Sequence, residues 1–266
     1  MTARGVLATL VAAALLLGAC SQGGRSSAGV SRSAPPPPPV VYAALGASET
    51  VGVGTSDPTR QSFPQLLYLR LPRTAVYYNF GLAGETTAAA LRDELPAALA
   101  VRPTLVTVWF NVDDLAAGVG ATDYESRLDQ LVGPLSRGGA TRVLIANTPR
   151  LDRLPAYLAC RPDPPPGSKC ALGNVTLPPP DQVIAQVDAY NAAIARVADR
   201  HGAVVVDLAA QASAALDQHP DYLSADGLHP SPTGAAAIAA TFARCGGNRF
   251  PPPPPSAGSC LAVVPK

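Results

Sequence analysis

Residues 40–49 read VVYAALGASE, a run of six apolar residues that passes directly into glycine, alanine, serine and glutamate. Four further short runs rich in Val, Tyr and Leu follow along the chain, and stretches with helical periodicity separate them. Runs of this length that end in polar or glycine-containing segments are typical of buried strands. We therefore predict five strands, at residues 40–45, 75–80, 104–110, 142–146 and 203–208.

The stretches between the predicted strands have the spacing of amphipathic helices. Apolar side chains share one helical face in residues 91–99 and 124–135, and in residues 181–200 they keep this spacing through five turns. Ser231 is positioned to cap a last helix that starts at Pro232 and runs to about Arg244. Strands that are apolar on both faces and alternate with helices indicate a parallel sheet covered on both sides, so the predicted fold class is α/β.

Polar residues follow these strands where a parallel sheet places its ligand site, outside the carboxyl ends of the strands. The first strand runs into Ser48, and a late loop carries Asp226-Gly227-Leu228-His229. A serine hydroxyl is a poor nucleophile until a base within hydrogen-bond reach takes its proton. We predict that His229 is this base and that Asp226 orients and stabilises its imidazole. The backbone N–H groups of Ser48 and Gly84 would face the developing oxyanion.

Four blocks in this order resemble those of the SGNH hydrolases, also called the GDSL esterase and lipase family. They are Gly46-Ala47-Ser48, residues 79–87 with Gly84 as the block glycine, residues 111–114, and Asp226-Gly227-Leu228-His229 followed by Pro230. The resemblance covers nearly all of residues 40–245. It implies a flavodoxin-like, three-layer α/β/α sandwich around a five-stranded parallel sheet. It also implies a serine esterase that needs no cofactor and no metal.

The chain departs from the family pattern in two blocks. Ala47 stands where the first block has aspartate, and residues 111–114 read NVDD where the third block has Gly-x-Asn-Asp. Asp113 thus takes the position of an asparagine that donates to the oxyanion, and an ionised aspartate has no proton to donate. Asn111 supplies the donor if the segment is extended, because residues i and i+2 then face the same way. Alternatively, Asp113 has a raised pKa and donates as a neutral acid.

We favour Asn111 of these two donors, and we expect the next residue, Asp114, to be solvated or to cap a helix. A different function is also open. The altered third block would suit a catalytically degenerate lipoprotein that keeps the fold and uses its pocket to bind a glycan or a lipid. The intact set of Ser48, Asp226 and His229 favours the esterase.

Residues 1–19 have the features of an export signal. Arg4 precedes a largely apolar run at 6–17, which is too short for a membrane span. The sequence Leu17-Gly18-Ala19-Cys20 resembles a bacterial lipobox, in which the sulfur of Cys20 is lipidated; an ordinary secretory signal is the alternative. We expect a cell-envelope protein, anchored by lipid on Cys20 at the extracytoplasmic face of a membrane. Residues 20–39, rich in Ser, Gly and Pro, would form a linker.

The other four cysteines predict disulfides, because an even number in an exported protein usually pairs. Three pairings are possible. We favour Cys160 with Cys170 and Cys245 with Cys260, because each pair brackets a short loop. A metal site is the rival interpretation, but no C-x-x-C spacing occurs and the chain has only three histidines.

Most of the 29 prolines are clustered and separate the linker from a domain at residues 40–266. The domain holds a proline-rich insertion at 150–181 and a proline-rich tail at 246–266. Long insertions at the binding edge are often lids, so we expect this one to form a wall over the substrate pocket.

A net charge of +1 gives no reason to expect a nucleic-acid partner. We expect a monomer that acts on a small ester, a lipid or an acylated glycan.

Overall fold

The computed structural model describes residues 39–170, 177–246 and 258–260, which belong to one compact unit. Its strands are β1 (Val41–Gly46), β2 (Val76–Asn79), β3 (Leu105–Trp109), β4 (Arg142–Ala146), β5 (Val204–Val206) and β6 (Gly258–Cys260). All of their pairings are parallel, and they form one sheet in the order β2-β1-β3-β4-β5-β6. The first strand in the chain therefore lies inside the sheet.

Helices connect the strands and cover both faces of the sheet. The α-helices in the described ranges are α1 (Ser48–Val51), α2 (Pro58–Gln61), α3 (Phe63–Tyr68), α4 (Thr87–Asp93), α5 (Leu95–Ala100), α6 (Val112–Ala116), α7 (Ala121–Ser136), α8 (Pro155–Cys160), α9 (Pro180–His201), α10 (Leu208–Gln218) and α11 (Pro232–Gly246). Single 3₁₀ turns occur at Arg137–Gly139, Leu151–Arg153 and Pro220–Tyr222. None of the helices in these ranges is long and apolar enough to span a bilayer.

The predicted α/β fold class is confirmed. Each of the five predicted strands forms, with ends within two residues of the predicted ones. The order β2-β1-β3-β4-β5 is that of the flavodoxin-like fold, whose ligands bind outside the carboxyl ends of the strands. The sixth strand was not predicted, and it lies in the proline-rich tail. The Cys245–Cys260 disulfide joins β6 to the last residues of α11, which holds this short segment beside β5.

Two apolar cores lie on the two faces of the sheet. On one face, α7 and α9 pack together and the rings of Tyr124 and Tyr190 stack with centroids 4.0 Å apart. On the other face, Phe63 of α3 stacks on Phe242 of α11 at 4.9 Å. All five residues of β3 are buried, whereas β2 lies at the edge and is largely exposed. The expectation of strands buried on both faces therefore holds for the interior strands and is wrong for β2.

The helix predictions hold except at one break. Residues 181–200 lie within α9, and Ser231 caps α11 by accepting a hydrogen bond from the Gly234 N–H at 3.1 Å. Residues 91–99 do not form one helix, because α4 ends at Asp93 and α5 starts at Leu95. Pro96 follows directly, and it cannot donate the backbone hydrogen bond that a continuous helix needs at that position.

Both favoured disulfides are formed. Cys160 at the end of α8 bonds to Cys170, and Cys245 bonds to Cys260. The predicted signal segment, Cys20 and residues 20–38 of the predicted linker lie outside the described residues, as does most of the proline-rich tail.

Candidate active site

A tight turn at the end of β1 carries Ser48 to the carboxyl edge of the sheet. Gly46 has φ of +152°, and a Cβ there would overlap Thr50 Oγ1 and come within 2.6 Å of the Trp109 carbonyl oxygen. Only glycine fits such a position. The next residue, Ala47, donates its N–H to the same carbonyl at 3.4 Å, which ties the turn to the end of β3. Helix α1 then begins at Ser48.

Ser48, His229 and Asp226 form one line of hydrogen bonds. Ser48 Oγ lies 2.9 Å from His229 Nε2, and His229 Nδ1 lies 2.8 Å from Asp226 Oδ2. These distances are within the range in which a base can take the serine proton while a carboxylate orients that base. The structure thus brings together the three residues that the sequence assigns to nucleophile, base and orienting acid.

The loop of residues 223–230, here called the His229 loop, holds its acid in the ionised state. Asp226 Oδ1 accepts hydrogen bonds from the backbone N–H groups of Leu228 at 2.8 Å and His229 at 2.9 Å. Burial alone would raise the pKa of Asp226, but the hydrogen bonds from the His229 side chain and these two N–H groups lower it to about 2. Asp226 is therefore charged at neutral pH and can stabilise a protonated His229.

The insertion at 150–181 packs against the His229 loop at its near end. Ala156 in the first turn of α8 donates its N–H to the Gly227 carbonyl at 3.2 Å. Leu151 and Leu154, just before α8, line an apolar cavity that reaches the active site. The described residues of the insertion that follow α8, at 161–170 and 177–181, are not among those that line this cavity.

The turn that carries the second-block glycine lies beside the Gly46 turn. The Leu82 N–H donates to the Gly46 carbonyl at 3.0 Å, and the Glu85 N–H donates back to Leu82 at 3.2 Å. Gly84, between them in sequence, has φ of +79°, and no atom lies within 4 Å of the position that its Cβ would take. The backbone of Gly84 therefore faces open space, where a substrate can approach it.

The segment after β3 differs from the extended chain that was expected. Asn111 directly precedes α6 without a side-chain capping bond, and Val112 is already helical, so Asn111 and Asp113 do not face the same way. Asn111 is 3% exposed, and its Nδ2 is buried without a hydrogen-bond partner among the described residues. The argument that favoured Asn111 over Asp113 as the oxyanion donor is therefore wrong, because it required alternation along a strand.

Asp113 is half-buried and interacts with the catalytic base. Burial and the neighbouring Asp114 raise the pKa of Asp113, and the imidazole of His229 opposes this rise. An aspartate in these surroundings is closer to its neutral form than an exposed one, and a neutral carboxyl can donate a hydrogen bond. Asp113 is thus the third-block side chain whose charge interacts with the imidazole of His229.

Asp114 takes the second of its two expected roles, as a cap at the start of a helix. It is fully buried, and its two carboxylate oxygens accept hydrogen bonds from the Thr87 N–H at 2.8 Å and the Thr87 hydroxyl at 2.7 Å. These bonds join α6 to the start of α4, and so connect the second and third blocks. The expectation that Asp114 is solvated is wrong.

Two acidic residues of the site were missed by the sequence analysis. Glu49 follows the nucleophile, is 9% exposed, and accepts a hydrogen bond from Ser48 Oγ at 3.2 Å. The single hydroxyl proton of Ser48 can therefore point to Glu49 or to His229. Burial raises the pKa of Glu49. In its neutral form Glu49 can donate to Ser48 Oγ, which leaves the serine proton for His229.

The second missed acid, Glu94, lies beneath the Gly46 turn. It is fully buried, and its Oε2 accepts the Gly46 N–H at 3.0 Å. Where the family pattern has an acid at position 47, the carboxyl that contacts the turn here comes from Glu94, which is 48 residues from Gly46 in the chain. Burial raises the pKa of Glu94 to about 9. No local pattern in the sequence indicates so distant a contact.

Comparisons with known proteins agree with this architecture. A model of the GDSL-like Lipase/Acylhydrolase family matches residues 44–237. A search of the curated proteins finds no match. A GDSL-like protein from Parabacteroides merdae shares the fold at a TM-score of 0.60 and 17% identity, over 80% of this chain and 98% of its own.

Two further solved structures are similar. The lipase/acylhydrolase from Enterococcus faecalis has a TM-score of 0.56 at 19% identity, over 77% of this chain and 94% of its own. The esterase EstA from Pseudoalteromonas, in a form inhibited by monoethylphosphonate, has a TM-score of 0.55 at 16% identity, over 77% and 95%. Identities this low establish a shared fold and nothing finer.

We expect Glu94→Gln to change how stability depends on pH. Because the pKa of Glu94 is about 9 in the folded protein and its ordinary value is 4.5, the folded state keeps a proton that the unfolded chain releases. The free energy of unfolding should therefore fall between these pH values, by up to about 1.4 kcal/mol per pH unit for this group. Glutamine keeps an acceptor for the Gly46 N–H and removes this contribution.

Urea unfolding at pH 5, 7 and 9 measures the difference. The matched control is Asp93→Asn, since the Asp93 side chain is 47% exposed and adjacent in sequence. A Glu94→Gln variant whose stability falls with pH as steeply as that of the unmodified protein would contradict a buried proton on Glu94.

Proposed function

This chain belongs to the GDSL-like lipase/acylhydrolase family, and we propose that it is a serine esterase that cleaves carboxylic esters through an acyl-enzyme on Ser48. The observation that carries the proposal is the line of hydrogen bonds from Ser48 Oγ to His229 Nε2, at 2.9 Å, and on to Asp226, at 2.8 Å. The side chains come from two segments of the chain, with Asp226 and His229 on one loop, and their distances meet the requirement for an activated serine.

The reaction then takes two steps. Ser48 Oγ attacks the ester carbonyl carbon while its proton passes to His229 Nε2, and Asp226 stabilises the imidazolium. The tetrahedral intermediate collapses, and the alcohol leaves with the proton from His229. In the second step, water loses a proton to His229 and attacks the acyl-enzyme, which releases the acid and restores Ser48. The backbone N–H groups of Ser48 and Gly84 would stabilise the oxyanion in both steps.

Replacement of the nucleophile tests this proposal directly. We expect the purified protein to hydrolyse an aryl acetate and to be labelled by a fluorophosphonate, and Ser48→Ala to lose the labelling and at least about 10³-fold in kcat. Organophosphorus reagents suit the test, since the structurally similar EstA was solved in a form inhibited by monoethylphosphonate. Ser126→Ala, at an exposed serine of α7, is the matched control and should keep both. Absence of labelling and turnover in the unmodified protein would refute the esterase.

Asp113 is the proposed third donor to the oxyanion, in its protonated form. One oxyanion donor is worth about 10²- to 10³-fold in rate. An ionised Asp113 would remove that donor and also repel the oxyanion, by roughly 4 kcal/mol at 4 Å and an effective dielectric constant of 20. The esterase should therefore lose activity as the pH rises through the pKa of Asp113, which burial and Asp114 raise above its usual value.

The same residue supports the second candidate function. If Asp113 is ionised throughout the working pH range, the site has lost its chemistry, and the chain would be a lipoprotein that binds a glycan or lipid in the retained pocket. The rise in the pKa of Asp113, caused by burial and by Asp114, favours the esterase.

Asp113→Asn separates these functions. Asparagine donates a hydrogen bond at every pH, so we expect kcat to rise by about 10²-fold at pH 8 and the alkaline loss of activity to disappear. The measurement is the pH profile of kcat from pH 5 to 9. Asn111→Ala is the control and should change kcat only slightly. A large loss in Asn111→Ala together with no gain in Asp113→Asn would assign the donor to Asn111.

We also propose that lipid on Cys20 anchors the enzyme at the extracytoplasmic face of a membrane. The support is the apolar run at 6–17 and the lipobox-like sequence Leu17-Gly18-Ala19-Cys20. An alkyne-tagged palmitate fed to the producing cells should label the protein, and Cys20→Ala should abolish the label and release the protein from the membrane fraction. Retained labelling in Cys20→Ala would refute an anchor at this residue.

A further inference from the structure

A cavity of about 400 Å³ lies between α10 and α11, behind the His229 loop. The two helices run antiparallel, since Gln211 near the start of α10 bonds to Thr241 near the end of α11. Residues that line the cavity extend from Gly234 to Arg244 along α11, which corresponds to about 15 Å of helix. The volume falls within the range of about 300–1,000 Å³ found for small-molecule sites.

One end of the cavity lies at the nucleophile. Glu49, whose carboxyl accepts the Ser48 hydroxyl at 3.2 Å, is part of its wall. Leu228 and Pro230, the two neighbours of His229 in the chain, also line it. At the opposite end the lining includes Arg244, which is exposed and lies near the start of α10, where it bonds to Gln211. The cavity therefore leads from the reacting groups to the surface.

Its walls are suited to a hydrocarbon chain. Between the two ends the lining is mostly aliphatic and includes Ala212, Ala215, Leu216, Ala237 and Ile238. At the reactive end, Trp109 is 5% exposed, and its indole Nε1 is buried without a hydrogen-bond partner among the described residues. A buried donor of this kind is costly unless a ligand oxygen accepts from it. A ligand with an apolar chain and an oxygen at one end meets both conditions.

We propose that this cavity binds the acyl chain of the substrate, so that the enzyme prefers esters of medium-length straight-chain fatty acids to acetate esters. The inference rests on the proposed function, because it assigns a subsite to the Ser48 acyl-enzyme. The ester carbonyl lies at Ser48, and the chain passes Glu49 into the space between α10 and α11. Since Glu49 is buried, its neutral form is favoured, and a neutral carboxyl is compatible with a passing hydrocarbon.

Adjacent alanines of α11 provide a matched pair for the test. Ala237 lines the cavity, whereas Ala236 does not, and both are partly buried. We expect the unmodified protein to have a kcat/KM at least about tenfold higher for an aryl dodecanoate than for the aryl acetate. Ala237→Phe fills the space of several methylene groups, so it should lower this ratio about tenfold. Ala236→Phe should leave the ratio unchanged.

A binding measurement makes the inference independent of turnover. Dodecanoate should bind to Ser48→Ala, and the double variant Ser48→Ala/Ala237→Phe should bind it about tenfold more weakly, as measured by calorimetry. Loss of all ester hydrolysis together with dodecanoate binding that Ala237→Phe weakens would refute the proposed function and keep the cavity as a fatty-acyl site. Ester hydrolysis with a chain-length ratio that Ala237→Phe does not alter would refute the cavity and keep the esterase.

Discussion

The hydrogen bond between Ser48 Oγ and His229 Nε2 joins residues that are 181 positions apart, and the rest of the fold serves to keep its length at 2.9 Å. Proximity of this kind speeds a reaction only if the partners are fixed before substrate binds. Otherwise the entropy lost in fixing them would add to the activation free energy of the reaction. The serine is fixed by the Gly46 turn at the end of an interior strand. The histidine is fixed by its own loop, in which Asp226 accepts the His229 N–H. Ser231, which caps α11, follows two residues later.

Environment gives the carboxyl groups around this bond different charge states. Asp226 receives hydrogen bonds from two backbone N–H groups and from His229, so the pKa of its carboxyl falls to about 2. Burial has the opposite effect on Glu49, Glu94 and Asp113 and raises the pKa of each. Two kinds of surroundings thus shift the carboxyl groups in opposite directions, Asp226 toward its charged form and the other three toward their neutral forms. A nucleophile surrounded by four ionised carboxylates could not stabilise an oxyanion.

The sequence was sufficient to predict the sheet and the catalytic line, because both depend on local patterns. Each apolar run is bounded by glycine or polar residues, and parallel strands bring their carboxyl ends to one edge. The prediction failed where contacts between residues distant in the chain determine the structure. Glu94 contacts Gly46 across 48 residues, and β6 pairs with β5 in a segment that the Cys245–Cys260 disulfide joins to α11. The relative directions of Asn111 and Asp113 depended on where α6 begins, and element boundaries are the part of a sequence prediction with the least local signal.

The two helix layers differ in how their interiors are filled. Between α7 and α9 the facing side chains are large, such as Tyr124, Leu128 and Tyr190, and all of them are almost fully buried. Between α10 and α11 the side chains that line the cavity include four alanines, at positions 212, 215, 237 and 240, and an open space remains. Protein interiors normally close such spaces, because unfilled volume loses dispersion contacts and lowers stability. Exchanging a few alanines for leucine would fill the cavity between α10 and α11. The small side chains therefore lower the stability of the protein on the side of the sheet that leads to Ser48. That trade is typical of a binding site, where empty volume is kept for a ligand.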